Sequence, residues 1–286
     1  MIAVAIASLS GGQGKTTAAL FLSRLLASRG YPTLAIDADA QHNLTTYLGL
    51  ELQPNQPTLL EVLKKSVSIE DGIYPVEGSD NLFLIPSDDG LDAAADYLSS
   101  SGVGATLLLR RFEPIAKVFK FCIVDAPPQR SQICLTAIGA ADTVIVPAEA
   151  SVKGYGSLVR TLDLLNSMRD VKATNATVLG VLPFRDRWIG NTQTLESRLA
   201  IEGMKDEVEN ELILPSIRES EQYKKAINKR QTLSGLGHPD LEYPFEILFA
   251  LGLHGDICHR SSRSPQLNTA LAHHRTRLSK CNHQAE

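Results

Sequence analysis

The sequence predicts an α/β protein, a doubly wound and mostly parallel sheet with helices on both faces. Three observations carry that expectation. Short runs of β-branched and other apolar residues alternate with longer stretches of helical periodicity, the pattern of βα units and not of a sandwich or a bundle. The first such run feeds a glycine-rich turn that opens directly into a helix. The chain has 286 residues, 43% apolar and 21% charged with a net charge of -4, which is enough to bury a large core without covalent staples.

Taken in order, Ile2-Ala3-Val4-Ala5-Ile6-Ala7 is apolar throughout, as a strand covered on both faces must be. Gly11 to Gly14 form a loop. Thr16 to Arg29 carry Leu20, Leu22, Leu25 and Leu26 at helical spacing, and Gly30 ends that helix. Pro32 to Ile36 is a second strand. Further strands are expected at Asn81–Ile85, Phe121–Val124, Thr143–Val146, Ala176–Leu182 and Glu211–Leu214. Helices are expected near Leu59–Lys65, Thr106–Phe119, Tyr155–Arg169, Thr192–Val208 and Glu219–Ile227. These elements assign residues 1–248 to one domain, without repeats or low-complexity tracts.

Residues 249–286 differ. They hold five of the seven histidines, two of the four cysteines and five Lys/Arg against only Asp256 and Glu286. We expect a mobile basic tail. Cys258-His259, His273-His274 and Cys281-Asn282-His283 match no standard zinc spacing.

Composition also excludes function classes. No run of about 18 apolar residues is present to span a bilayer, and the first residues lack the basic region and cleavage site of a secretory signal. Cys122, Cys134, Cys258 and Cys281 are far apart, so reduced thiols and a cytoplasmic location are expected. The mild acidity argues against wholesale attraction to nucleic acid and leaves room for a local basic patch.

Gly11-Gly12-Gln13-Gly14-Lys15-Thr16-Thr17 follows a strand and opens a helix, the context a phosphate-binding loop requires. Glycines let successive N–H groups point at one anion, and the helix N-terminus adds partial positive charge. Lys15 would reach the β and γ phosphates. Thr16 would offer its hydroxyl to Mg²⁺, a hard cation that prefers oxygen ligands. Asp37 and Asp39, in Asp37-Ala38-Asp39-Ala40-Gln41-His42-Asn43-Leu44-Thr45-Thr46, end a strand beside this loop, where a carboxylate can orient water or the magnesium shell. Asp125 ends the apolar run Phe121-Cys122-Ile123-Val124, and Ala126-Pro127-Pro128 stiffens the loop that follows.

These three motifs in this order resemble the deviant Walker-box ATPases of the ParA/MinD type, over roughly residues 1–245. The resemblance implies a homodimer that sandwiches two ATP molecules and binds DNA or membrane in the ATP state. It also implies a partner protein that stimulates hydrolysis and releases the dimer. It assigns the attacking water to Asp39 and the Walker B role near Mg²⁺ to Asp125. Relatives hold adenine near positions corresponding to Pro215 and Arg187.

One departure stands out. Such loops carry a lysine that crosses the dimer to the other subunit's nucleotide, and here that position is Ser10. A serine supplies no cation, so activity is impaired or a charge arrives from elsewhere. Lys153 is the candidate, in Pro147-Ala148-Glu149-Ala150-Ser151-Val152-Lys153-Gly154-Tyr155-Gly156, where flanking glycines would free a loop to reach outward. A serine here with a displaced lysine resembles the carboxysome-positioning branch of the family, which implies a small adaptor protein on the cargo.

Arg218 to Arg230 holds five basic residues against two acidic ones, with Lys224, Lys225, Lys229 and Arg230 largely on one side of a helix and its exit. Such a stripe would contact phosphates without reading bases, giving sequence-independent, salt-sensitive DNA binding and nucleoid association. The alternative is an ordinary solvated helix face. Membrane attachment is not expected, because Pro244 to Leu253 is short, has no basic residue and fits a last packed helix. Chromosome or plasmid partition is the alternative within the same chemistry, and two rival classes stay open at this level: a scaffold that binds ATP and hydrolyses it poorly, and a metabolic P-loop enzyme.

Overall fold

Eight described strands form one sheet. The computed structural model describes residues 1–208 and 212–250. In its first half it contains β1 (Ile2–Ile6), α1 (Lys15–Ser28), β2 (Thr33–Asp37), α2 (Asn43–Leu48), α3 (Leu59–Lys64), β3 (Tyr74–Pro75), β4 (Leu82–Ile85), α4 (Ala94–Ser100) and α5 (Leu107–Arg111). There follow β5 (Phe121–Asp125), α6 (Gln132–Gly139), β6 (Thr143–Glu149), α7 (Val152–Asp170) and β7 (Thr177–Asp186). The last are β8 (Trp188–Ile189), β9 (Thr192–Gln193), α8 (Leu195–Glu207), β10 (Ile217–Arg218), α9 (Glu221–Asn228) and α10 (Tyr243–Leu248).

Every described pairing in the large sheet is parallel except β3 with β4. Pro75 sits in that antiparallel edge strand, where a missing N–H costs no interior ladder bond. β1, β2 and β5 are buried at every residue, the reason their sequences are continuous apolar runs instead of alternating ones. Because these strands run the same way, their carboxyl ends share one edge. Asp37 of β2 is in register with Asp125 of β5, and Asp125 with Ile6 of β1. The chain winds from β1 outward to one side through β2 and β4 and to the other through β6 and β7, and that reversal opens a crevice at the exit of β1.

α1 lies deep in the molecule. Leu20, Leu22 and Leu26 have no exposed surface, and Phe21 meets the rings of Tyr223 and Phe245 at 5.3 and 5.9 Å. Of the apolar segment Pro244–Leu253 expected to pack as a last helix, Pro244–Leu248 lies in α10 with Phe245 and Leu248 buried, and residues 251–253 lie outside the described residues. No helix among the described residues is long and apolar enough to cross a membrane. Cys122 and Cys134 are buried free thiols.

Four expectations need correction. The helix expected over Thr106–Phe119 is only Leu107–Arg111; Pro114 disfavours helical geometry at Glu113, just past the Phe112 cap. Thr192 and Gln193 belong to the hairpin β8–β9, and α8 starts after the Thr194 cap. In the strand expected over Glu211–Leu214, Glu211 lies outside the described residues and Ile213 makes one isolated bridge to Val181; the strand proper is Ile217–Arg218. The segment around Lys153 is not a free loop but the first turn of α7, capped by the Ser151 hydroxyl, which accepts from the Gly154 N–H at 3.3 Å.

Every element above lies within the unit Met1–Leu248. The cysteine–histidine pairs of the expected tail lie outside the described residues.

Candidate functional site

The loop between β1 and α1 curls where its glycines allow it. Gly12 and Gly14 have φ of +81° and +91°, a region that side chains rarely enter. A Cβ on Gly14 would also stand 2.5 Å from the Phe184 ring, so α1 begins where only glycine passes the end of β7. Gln13 is buried and binds the end of β6: its Oε1 accepts from the Glu149 N–H at 2.8 Å. Lys15 folds back, its Nζ donating to the Ser10 carbonyl at 2.9 Å. A Cβ on Gly11 or Gly12 would meet nothing within 4 Å, so both residues border open space.

Three carboxylates face this loop. Asp37 is fully buried and accepts from the Thr45 N–H and hydroxyl, both at 2.8 Å, and from the Asp39 N–H at 3.2 Å. Burial pushes it up to about 6 in spite of those bonds, with the charge of Asp39 adding. Asp125 is the more exposed to electrostatic penalty. Both its oxygens are buried without a hydrogen-bond partner, and desolvation together with Asp37 raises it well above the usual carboxylate range. The Thr16 hydroxyl and the Lys15 ammonium oppose that rise. Lys15 is in turn lowered, first by its own burial, while Asp125 and Asp39 hold it up.

An orphaned buried carboxylate beside a threonine hydroxyl is a donor set for a hard divalent cation, and the residues present therefore fit Mg²⁺. The cradle above it fits phosphate. Lys153, exposed in the first turn of α7, donates from Nζ to the Gly11 carbonyl at 3.2 Å, so the structure does bring it to the loop. Thr45, which fixes Asp37 and also accepts from the Ser87 N–H at 3.1 Å, was not singled out by the sequence reading. Its position eight residues after Asp37 carries no signal by itself.

The far wall is built from the end of β7. Asp186 is buried and accepts from Trp188 Nε1 at 2.8 Å, Gln193 Nε2 at 2.8 Å and the Ser216 hydroxyl at 2.6 Å, which fastens hairpin β8–β9 and the segment after Pro215 to one carboxylate. Pro215 is half-buried, and Arg187 is engaged with Glu219 at 2.9 Å. Trp188 lies under the Arg218 guanidinium at 4.3 Å.

On the basic helix, Tyr223 and Ala226 face inward while Lys224, Lys225, Lys229 and Arg230 are exposed. Lys224 pairs with Glu221 at 2.9 Å, and Arg230 folds over Gly49 to reach Glu77 at 3.0 Å. Among the described residues Lys225 and Lys229 make no ion pair. Buried Arg24 ties this helix to α2: it donates to the carbonyls of Ala226, Gln231 and Tyr47 at 3.2, 3.1 and 3.1 Å. Burial lowers it to about 10, with the nearby Arg230 charge adding.

A phosphate loop leaving the central strand of a parallel sheet, with neighbouring strands ending in carboxylates, defines the class as P-loop ATPases of the ParA/MinD type. A family model described as an AAA domain matches residues 1–176. Maintenance of carboxysome distribution protein A (McdA) of Synechococcus elongatus is 55% identical over 253 residues, covering 88% of this chain and all of that protein. The protein of the same name in Gloeothece citriformis is 52% identical over 254 residues, covering 88% of this chain and 98% of its own. The solved structure of an aspartate-to-alanine variant of Cyanothece McdA in complex with ATP matches with a TM-score of 0.85 at 50% identity, covering 87% of this chain and 95% of that one. The chain belongs to the McdA family of ParA-type ATPases.

Proposed function

We propose that this chain is an ATP- and Mg²⁺-dependent positioning ATPase that spaces carboxysomes in the cytoplasm. It dimerises on ATP, binds nucleoid DNA without reading its sequence and leaves the DNA when a small adaptor of the McdB type on the carboxysome stimulates hydrolysis. The observation that carries this reading is the likeness to McdA over the whole length of that relative, joined to a loop and carboxylate cluster of matching chemistry.

In this reading the N–H groups of Gly11, Gly12, Gln13 and Gly14, with those of Lys15, Thr16 and Thr17 at the helix start, cradle the phosphates. Lys15 exchanges its Ser10 carbonyl contact for phosphate oxygens. Thr16, Asp39 and Asp125 hold Mg²⁺, which when bound neutralises charge on the phosphates. Asp39 orients the attacking water, Asp37 holds the backbone of Asp39 and Thr45 in place, and Pro215 borders the adenine. Lys153 supplies the cation that Ser10 lacks, to the nucleotide of the other subunit. Its exposed place at the rim of the loop supports that role.

Lys225 and Lys229, unpaired and exposed, are the strongest DNA contacts of the four basic residues, with Lys224 and Arg230 available once Glu221 and Glu77 yield. The test is phosphate release by the full chain with Mg²⁺ and ATP, with and without DNA and adaptor. Stimulation by the pair supports the reading. A flat, near-zero rate with ATP still bound favours the poorly hydrolysing scaffold, the one rival with a specific observation behind it, the serine at position 10.

A further inference from the structure

The entry to the phosphate loop is fastened to α7 residue by residue. The Ser8 and Ser157 hydroxyls lie 2.9 Å apart, both fully buried. The Leu9 N–H donates to Thr161 Oγ1 at 3.0 Å. Arg160 Nη2 donates to Ser10 Oγ at 3.0 Å, and Lys153 Nζ donates to the Gly11 carbonyl at 3.2 Å. Residues 153, 157, 160 and 161 share one helix face by their spacing, so four successive loop residues meet one stripe of α7. The inner two contacts are neutral, the Ser8–Ser157 pair buried and the Leu9–Thr161 bond partly so; the outer two are cationic and exposed.

Only an acceptor at position 10 completes this stitch. A serine hydroxyl has lone pairs to offer a guanidinium, whereas a lysine ammonium has three donors and none. A lysine there would also set a second positive charge against Arg160, within the range where like charges repel. Arg160 has no acidic partner among the described residues, and its described side-chain bond is the one to Ser10.

We propose that Arg160 is a positioning residue for the phosphate loop, and that the Ser10–Arg160 pair is the determinant that makes position 10 a serine. The displaced lysine is thus half of the adaptation. The other half is an arginine two turns further along the same helix that takes up the vacated position and holds the loop through Ser10. This rests on the nucleotide-binding reading above.

The test measures ATP affinity with Mg²⁺, KM and kcat for the full chain and for Ser10→Lys, Arg160→Ala, Arg160→Lys and the Ser10→Lys/Arg160→Ala pair, with melting temperatures to confirm folding. Arg160→Ala should weaken ATP binding about fivefold and raise KM more than it lowers kcat, the size of one charge-assisted hydrogen bond acting through a neighbour. Arg160→Lys, which keeps a donor, should recover binding to within about twofold. Ser10→Lys should lose about tenfold alone and bind better when Arg160 is also removed. Independent effects of the two substitutions, or Arg160→Ala with natural affinity, would overturn the inference while leaving the ATPase reading intact. No ATP binding by the natural chain would instead overturn that reading and this inference with it.

Discussion

Gly154 shows how much a single missing Cβ can decide. A Cβ there would lie 1.8 Å from the Glu149 carbonyl, so α7 can pass the end of β6 at this distance only with glycine. Gly154→Ala should cost about 2 kcal/mol or more in urea unfolding, within the range of overpacking, and it should weaken ATP-driven dimerisation because Lys153 is the adjoining residue. The sequence showed the glycine but suggested loop freedom; close backbone approach is a tertiary fact with no local signature. Gly14 was legible because its motif carries the geometry with it. The carboxylates give a second test at this scale. Burial raises Asp37 to about 6 and raises Asp125 as well, so both carboxyls keep their protons to higher pH in the folded nucleotide-free chain than in the unfolded one. A raised folded-state value means that the free chain loses stability as pH climbs from about 4 toward about 6, since the folded state holds protons that the unfolded chain has released. Mg²⁺ selects the carboxylate form, so titration of Mg²⁺ and ATP at pH 5.5 and 7.5 should show tighter binding at the higher pH, with proton release. Asp125→Asn should keep the nucleotide-free fold and abolish the Mg²⁺-dependent part of ATP affinity.

At the scale of elements, Arg24 fastens α1 to α2 and α9 through three carbonyls, and α2 begins at the segment whose Thr45 holds Asp37. Arg24→Met leaves those carbonyls unpaired and should destabilise the chain by about 2–4 kcal/mol in chemical unfolding. On α9, Lys225→Ala and Lys229→Ala should each lower DNA affinity and reduce the salt slope by about one, equally for any DNA sequence. Arg230→Ala should lower DNA affinity less than either, because its guanidinium lies over Gly49 and is paired with Glu77. The strands were the legible elements, since burial on both faces writes itself as unbroken apolar runs at β1, β2 and β5. What stayed hidden was set by contacts distant in sequence. The hairpin Trp188–Gln193 is pinned by Asp186, and the helix after Thr106 ends ahead of Pro114, a proline the periodicity alone ignored.

Across the whole molecule, the parallel sheet places the loop after β1, the carboxylates ending β2 and β5 and the first turn of α7 on one edge. That convergence was foreseeable from motif order; the bracing of the loop by α7 was not, because Arg160 lies 150 residues from Ser10. Every proposed nucleotide ligand falls within Met1–Leu248. A chain ending at Leu253 should therefore bind ATP as the full chain does, which calorimetry can check. In the proposed function, nucleotide state controls both self-association and DNA binding. Sedimentation of the full chain with DNA fragments of unrelated sequence, in Mg²⁺ with ATP and again with ADP, tests it directly. DNA-bound dimers are expected with ATP and free monomers with ADP; equal association or equal DNA binding in both nucleotides would overturn nucleotide control.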